Sequence, residues 1–229
     1  TRIINFNEFE NIKNILIKYD TTPEIIFEKN INGILFKKDK SDSFSYNKYK
    51  IFSKENSIYN NTFLTIEDTL ININKNFEVI GEPIKINPKN LSFKSEMELE
   101  YAQDHSKGAF YNYSREKNKW YYMKKTKKDK INTKIFSGGV FAILHESIKP
   151  IISGRIPKNN STYKSNDLNE ILFNIKDEHS GIDYNSIIVK IDNQTYFYDY
   201  IPYRNLVRCK INKKLSPGAH TLEIYVNDR

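Results

Sequence analysis

The chain has 229 residues, 38% hydrophobic and 14% aromatic, enough for one large or two ordinary domains with cores filled by large rings. Eight glycines and seven prolines are too few for a low-complexity linker, and no run of 18 apolar residues is present to cross a bilayer as a helix. The net charge of +8 is uneven: residues 150–229 carry 11 Lys/Arg against 9 Asp/Glu, so most of the excess lies before them. A Lys-, Asn- and Ile-rich composition of AT-rich coding explains such basicity, and attraction to a polyanion is the sharper alternative.

Period-two alternation dominates from the start, the mark of half-buried strands. Residues 14–19 and 24–28 read as strands, and Ile31-Asn32-Gly33-Ile34 predicts a tight type I′ hairpin turn. Residues 39–47 are polar and predict a loop. Short strands are then expected at 49–52, 62–66, 70–73, 77–80, 84–86 and 97–101, with Gly81-Glu82-Pro83 and Asn87-Pro88 marking edges or turns between them. Phe110-Tyr111-Asn112-Tyr113 and Trp120-Tyr121-Tyr122-Met123 flank a short polar stretch, which predicts a hairpin with aromatics facing one another. The basic run of residues 124–130 and a strand at 133–136 follow. Ser137-Gly138-Gly139 then leads into Val140-Phe141-Ala142-Ile143-Leu144, an unbroken apolar strand expected to be buried on both faces and to close its domain.

Pro150 and Pro157 bracket residues 151–154, which read as an extended connector. Residues 159–166 predict a surface loop and 168–175 a strand. The remainder alternates around Ile187, Val189 and Ile191, then Val207, Cys209 and Ile211, then Leu222, Ile224 and Val226. Ser180-Gly181, Asp192-Asn193 and Ser216-Pro217-Gly218 supply the turns. Such spacing predicts an immunoglobulin-like sandwich. Cys209 is the single cysteine, so no intrachain disulfide forms, and a strand position predicts a buried, inert thiol. The chain begins at Thr1 and stops at Asp228-Arg229 in a strand-like pattern, which predicts a processed chain or a piece of a longer one.

Three stretches together resemble a known arrangement: the aromatic hairpin with Trp120 followed by residues 137–144, the extended joint ending at Pro157, and Ser180-Gly181-Ile182-Asp183 followed by Ser216-Pro217-Gly218, His220-Thr221-Leu222 and Val226-Asn227-Asp228-Arg229. This order is similar to the C-terminal accessory region of secreted bacterial zinc metallopeptidases of the LytM/lysostaphin-like family, and to tandem modules of other envelope proteins. The early strand at residues 57–63 also resembles that of the sandwich in netrin receptors and ankyrins. The resemblance spans roughly residues 48–229. It implies a sandwich followed by an immunoglobulin-like domain, in a secreted or cell-envelope protein, beside a peptidoglycan-directed peptidase domain elsewhere in the parent chain.

The zinc site of such a peptidase needs H-x-x-x-D and H-x-H. His105, His145, His179 and His220 lie more than 30 residues apart, and none opens either motif. No G-x-S-x-G, phosphate loop or nucleic-acid fold motif is present. Asp177, Asp183 and Asp192 sit at turns. A catalytic pair or a calcium site built from them is the alternative to turn-forming carboxylates. Lys124, Lys125, Lys127, Lys128 and Lys130 form the densest charge run, beside Trp120, Tyr121 and Tyr122. A basic tip with aromatics can hold a carbohydrate or polyanion, and a solvated, pairing-resistant loop is the plainer reading.

The expected fold is all-β, with two tandem β-sandwich domains. Residues 1–40 would end a preceding module or extend the N-terminus, 41–148 form the first sandwich, 149–157 the connector and 158–229 the immunoglobulin-like domain. The expected function is a non-catalytic accessory, spacer or binding pair with no cofactor. Its expected partners are the rest of the parent chain and peptidoglycan or an anionic surface polymer.

Overall fold

The computed structural model describes residues 14–17, 27–30, 32–89, 91–102, 107–123, 131–164 and 167–229. The chain is all-β and divides into two compact units, 1–147 and 148–229. In the first, β1 (Asn14–Ile17) pairs with β2 (Phe27–Asn30). Ten further strands follow in order: β3 (Gly33–Phe36), β4 (Asp42–Tyr46), β5 (Tyr49–Ser53), β6 (Thr62–Asp68), β7 (Phe77–Asn87), β8 (Ser92–Tyr101), β9 (Ala109–Ser114), β10 (Lys119–Tyr122), β11 (Ile131–Ser137) and β12 (Gly139–Glu146). They build a six-stranded sheet, β10-β9-β12-β7-β6-β3, and a four-stranded sheet, β11-β8-β5-β4. Phe36, Leu64, Ile84 and Phe141 of the first meet Ile51, Met97, Leu99 and Ile135 of the second in one apolar core. This is a sandwich, in which alternate residues of each strand face inward.

The outer face of the six-stranded sheet carries a second cluster: Phe77, Tyr111, Trp120, Val140, Ala142 and Leu144, with Ile71 and Ile73 packed on it. That is why β12 is apolar without alternation, as expected for a strand covered on both sides. It also explains the fate of residues 70–73, which form no strand. Ile71 and Ile73 lie over the sheet while Leu70 is fully exposed. Nor do Asn32 and Gly33 make the expected hairpin. β2 pairs with β1, whereas β3 pairs with β6 in the large sheet, so the first sandwich already includes residues before 41.

Gly81-Glu82-Pro83 lies inside β7 rather than between two strands. Against β12 the register runs Phe141↔Ile84 and then Ile143↔Gly81, so Glu82 and Pro83 together oppose Ala142. A proline is tolerated there because a bulge interrupts the ladder that its missing N–H would have joined. Two tyrosines from the facing sheet satisfy the bulge: Tyr49 Oη donates to the Glu82 carbonyl at 2.7 Å and Tyr101 Oη to the Ile80 carbonyl at 3.1 Å. Their rings meet edge-on, 4.9 Å apart, and burial pushes both hydroxyls above the ordinary phenol range, which keeps them protonated donors. Tyr49→Phe removes the donor to the Glu82 carbonyl and is expected to lower the stability of this unit by about 0.5–1.5 kcal/mol in denaturant titration. No measurable loss would mean that the bulge does not depend on this bond.

The second unit comprises β13 (Ile151–Ile156), β14 (Glu170–Lys176), β15 (Ile188–Ile191), β16 (Gln194–Tyr196), β17 (Asp199–Ile201), β18 (Leu206–Lys210) and β19 (Leu222–Tyr225). One sheet runs β13-β14-β18-β17 and the other β16-β15-β19. Ile171, Phe173, Val189, Val207 and Cys209 close its core, with Leu222, Ile224 and Val226 half-buried against it. The stretch expected as a connector is β13 itself, paired with β14 from Ile151↔Lys176 to Ile156↔Leu172. Its prolines lie outside the ladder, so neither blocks the pairing.

Candidate functional site

The aromatic hairpin forms with its aromatics facing one another, as expected, in a register that sets Trp120 opposite Tyr113 and Tyr122 opposite Tyr111. Its turn is tightened by Asn118 at φ 48° and by the Tyr113 hydroxyl, which donates to Asn118 Oδ1 at 2.5 Å. Alternation then sorts the three expected contact residues. Trp120 is only 4% exposed, inside the outer-face cluster with its ring 5.1 Å from that of Tyr113. Tyr122 packs edge-on against Tyr111 at 5.6 Å. Trp120 is therefore a core residue and presents no face for stacking on a sugar. Tyr121 points to the opposite side, 39% exposed, with the ammonium groups of Lys117 and Lys119 each 5.9 Å from its ring centre. Lys124, Lys125, Lys127, Lys128 and Lys130 lie outside the described residues.

Lys117 and Lys119 stand apart from the denser lysine run of residues 124–130, so charge density along the chain does not mark them. Yet residues 107–134 hold ten Lys/Arg and two Asp/Glu, a balance of +8 that equals the net charge of the whole chain. Everything outside this stretch is neutral in sum. The hairpin therefore presents an exposed aromatic ring, near two lysine ammonium groups, within the most basic stretch of the sequence.

Asp177 and Asp183 are each held by their own loop, and Asp192 by a distant one. Asp177 Oδ1 accepts from the backbone N–H groups of His179 and Gly181 at 2.9 and 2.7 Å, and Asp183 Oδ1 from Asn185 N at 3.0 Å. Asp192 and Asn193, at φ 49° and 67°, form the two-residue turn between β15 and β16. Asp192 Oδ1 accepts from Thr221 N at 2.9 Å, and its Oδ2 lies 2.5 Å from His220 Nδ1. Asp177 and Asp183 act as Asx-turn and capping groups, whereas Asp192 ties its turn to residues 220 and 221. Among the described residues, no group of three or more His, Cys, Asp or Glu side chains is placed to share a metal ion.

Of the histidines within the described residues, His145 ends β12 with Nδ1 3.1 Å from the Lys107 carbonyl. His220 has both ring nitrogens engaged, so neither is available as a general base in this arrangement. Cys209 is buried in β18, and burial pushes its thiol above the ordinary range, away from the nucleophilic thiolate. His105 lies outside the described residues. A cavity of about 810 Å³ opens at one end of the second unit, floored by Leu168, Ile171, Ile211 and Leu222 and rimmed by Tyr163, Lys164 and His220. No helix is long and apolar enough to cross a membrane among the described residues.

No protein-family model matches this chain, and no curated protein matches it.

Proposed function

We propose that the chain is a non-catalytic pair of modules in a larger secreted or cell-envelope protein, whose first unit holds an anionic surface polymer for a domain elsewhere in the parent. The observation that carries this reading is the coincidence of the whole net charge, +8, with the stretch that presents Tyr121 between Lys117 and Lys119. With Trp120 in the core, the hairpin favours charge over neutral-sugar stacking. Lysines neutralise a polyanion by releasing its counterions, and one exposed ring adds sequence-tolerant contact.

The sequence resemblance supports the accessory role beside a peptidoglycan-directed peptidase. The sheet order of the second unit supports the immunoglobulin-like reading: its first, second, sixth and fifth strands form one sheet, as in the ABED sheet of such sandwiches. A unit of this kind spaces and orients its neighbours without chemistry of its own.

Retention of the full chain on wall fragments bearing anionic polymer, on stripped peptidoglycan and on single-stranded DNA, measured at several salt concentrations, tests the proposal. Binding to the anionic wall material is expected to weaken steeply with salt. The Lys117→Ala, Lys119→Ala, Tyr121→Ala triple variant is expected to bind roughly tenfold more weakly. Trp120→Phe, a core change, should leave binding intact. No retention on any anionic material would leave the pair as a spacer alone, and salt-independent retention would overturn the charge-based contact. Equal retention on DNA would turn the reading towards nucleic acid.

A further inference from the structure

His220 occupies a position that only one of its protonation states satisfies. Nδ1 lies 2.5 Å from the Asp192 carboxylate and Nε2 lies 2.7 Å from the Ser216 carbonyl. Both partners are acceptors. A neutral imidazole carries one N–H and can donate to only one of them, leaving a lone pair facing an oxygen at the other. The imidazolium donates to both. We infer that residues 215–221 form a pH-sensitive latch, in which the His220 imidazolium clips this loop to the β15–β16 turn and holds one wall of the cavity at this end of the second unit in place.

The loop that the latch holds forms part of a cavity wall. Leu215, Ser216 and His220 border the cavity of about 810 Å³, whose floor includes Leu168, Ile171, Ile211 and Leu222. Ile171 is fully buried, whereas the other three are half-buried, so apolar surface already lies near the opening. Asp192 serves both sides of the clip, because its second oxygen accepts the Thr221 N–H at 2.9 Å. Asp192 sits in the two-residue turn between β15 and β16, with Asp192 and Asn193 both at positive φ. The facing loop contributes Tyr163 and Lys164 to the cavity wall, and one ladder step along, Lys190 stands opposite Glu223. Lys213 and Lys214 precede the loop and are exposed. Among the described residues, Asp192 is the charged group that contacts the ring.

The pair sets the direction of the response. The Asp192 hydrogen bond first, and then the Ser216 carbonyl, hold His220 above its ordinary 6.5, while the His220 contact holds Asp192 below its ordinary 3.8. A raised histidine contributes stability that is complete below 6.5 and is lost as pH rises through its folded value. A lowered carboxylate contributes stability that is complete above 3.8 and is lost as pH falls through its folded value. The latch is therefore fully made between those two limits, opens on the alkaline side of the histidine titration, and opens again in strong acid.

Histidine-selective NMR on the full chain, with amide hydrogen exchange of residues 215–221, tests this between pH ~4 and ~9. The His220 midpoint is expected above 6.5. Exchange protection of the loop is expected to fall about tenfold across the same midpoint, with β14 and β18 amides unchanged. The fluorescence of 1-anilinonaphthalene-8-sulfonate, which reports exposed apolar surface, should rise in step. Asp192→Asn is expected to lower the His220 midpoint and leave the loop open throughout. His220→Gln should abolish the pH dependence. A wild-type midpoint at or below 6.5, or loop protection that does not change across the titration, would overturn the latch whether or not the variants fold.

Discussion

Gly138→Ala is expected to destabilise the first unit by upward of about 3 kcal/mol, at the high end of overpacking effects. Gly138 lies between β11 and β12, where the chain passes from the four-stranded sheet to the six-stranded one. A Cβ at this position would stand 2.3 Å from the Pro88 carbonyl oxygen and 2.7 Å from that of Ile86. Those atoms belong to the end of β7 and the turn that carries the chain back to the other sheet, so two crossovers press together at one rim. Both obstacles are backbone. Relief would require moving β7 against β12, whose pairing from Gly139↔Ile86 onward orders the centre of the large sheet. The requirement is close approach, since the φ of Gly138 is not among the positive values. Trp120 is the single tryptophan and lies in this unit, so its fluorescence reads the effect separately. Gly154→Ala, in the second unit and followed by hydrogen exchange of the β14 amides, is the control: its added Cβ meets only the Pro157 oxygen at 3.5 Å, an ordinary contact, and should change the stability of its own unit by less than about 0.5 kcal/mol. Equal effects from the two substitutions would remove the steric argument.

Phe173→Ala is expected to cost the second unit about 3–5 kcal/mol. Phe173 is wholly buried in β14, the strand between β13 and β18, and it is the only aromatic among the fully buried residues of that core. Its neighbours, Ile171, Ile175, Val189 and Val207, are short and β-branched, with stiff rotamers that cannot collapse into the space a lost ring would leave. A domain of this size holds only roughly 4–12 kcal/mol in total, so the variant should lose much of its fold. Hydrogen exchange of the β14 and β18 amides would show it. A loss below about 1 kcal/mol would mean that Phe173 is not the keystone of this core.

Strand positions were largely legible because the period of two is a local property. The hairpin of Tyr113 and Trp120, the unbroken apolar run of β12 and the alternation around Val189, Val207 and Ile224 all follow from which neighbours are apolar. Errors arose where a local signal met a distant partner. Asn32-Gly33 has turn chemistry, yet Gly33 begins a strand because β6 offers an open edge to pair with, and the would-be Cβ of Gly33 lies 2.5 Å from the Leu64 carbonyl. Gly81-Glu82-Pro83 has breaker chemistry, yet it stays within β7, where two tyrosines from another sheet bond the Glu82 carbonyl and that of Ile80 just before it. Pro150 and Pro157 suggested a connector, yet the residues between them find β14.

The candidate sites divide in the same way. By itself the sequence established the all-β class, the burial of Cys209, the turn roles of Asp177, Asp183 and Asp192, and the basic stretch beside the aromatic hairpin, because composition and alternation are read along the chain. Only the tertiary structure decided which side of that hairpin is covered. Ile71 and Ile73, some 50 residues upstream, lie over the face that holds Trp120, and so Tyr121 is left facing solvent between Lys117 and Lys119. It also joined His220 to Asp192 across 28 residues of chain. Alternation states that a strand has two faces. Which face is buried, and which carboxylate meets which imidazole, depends on long-range packing that no local pattern encodes.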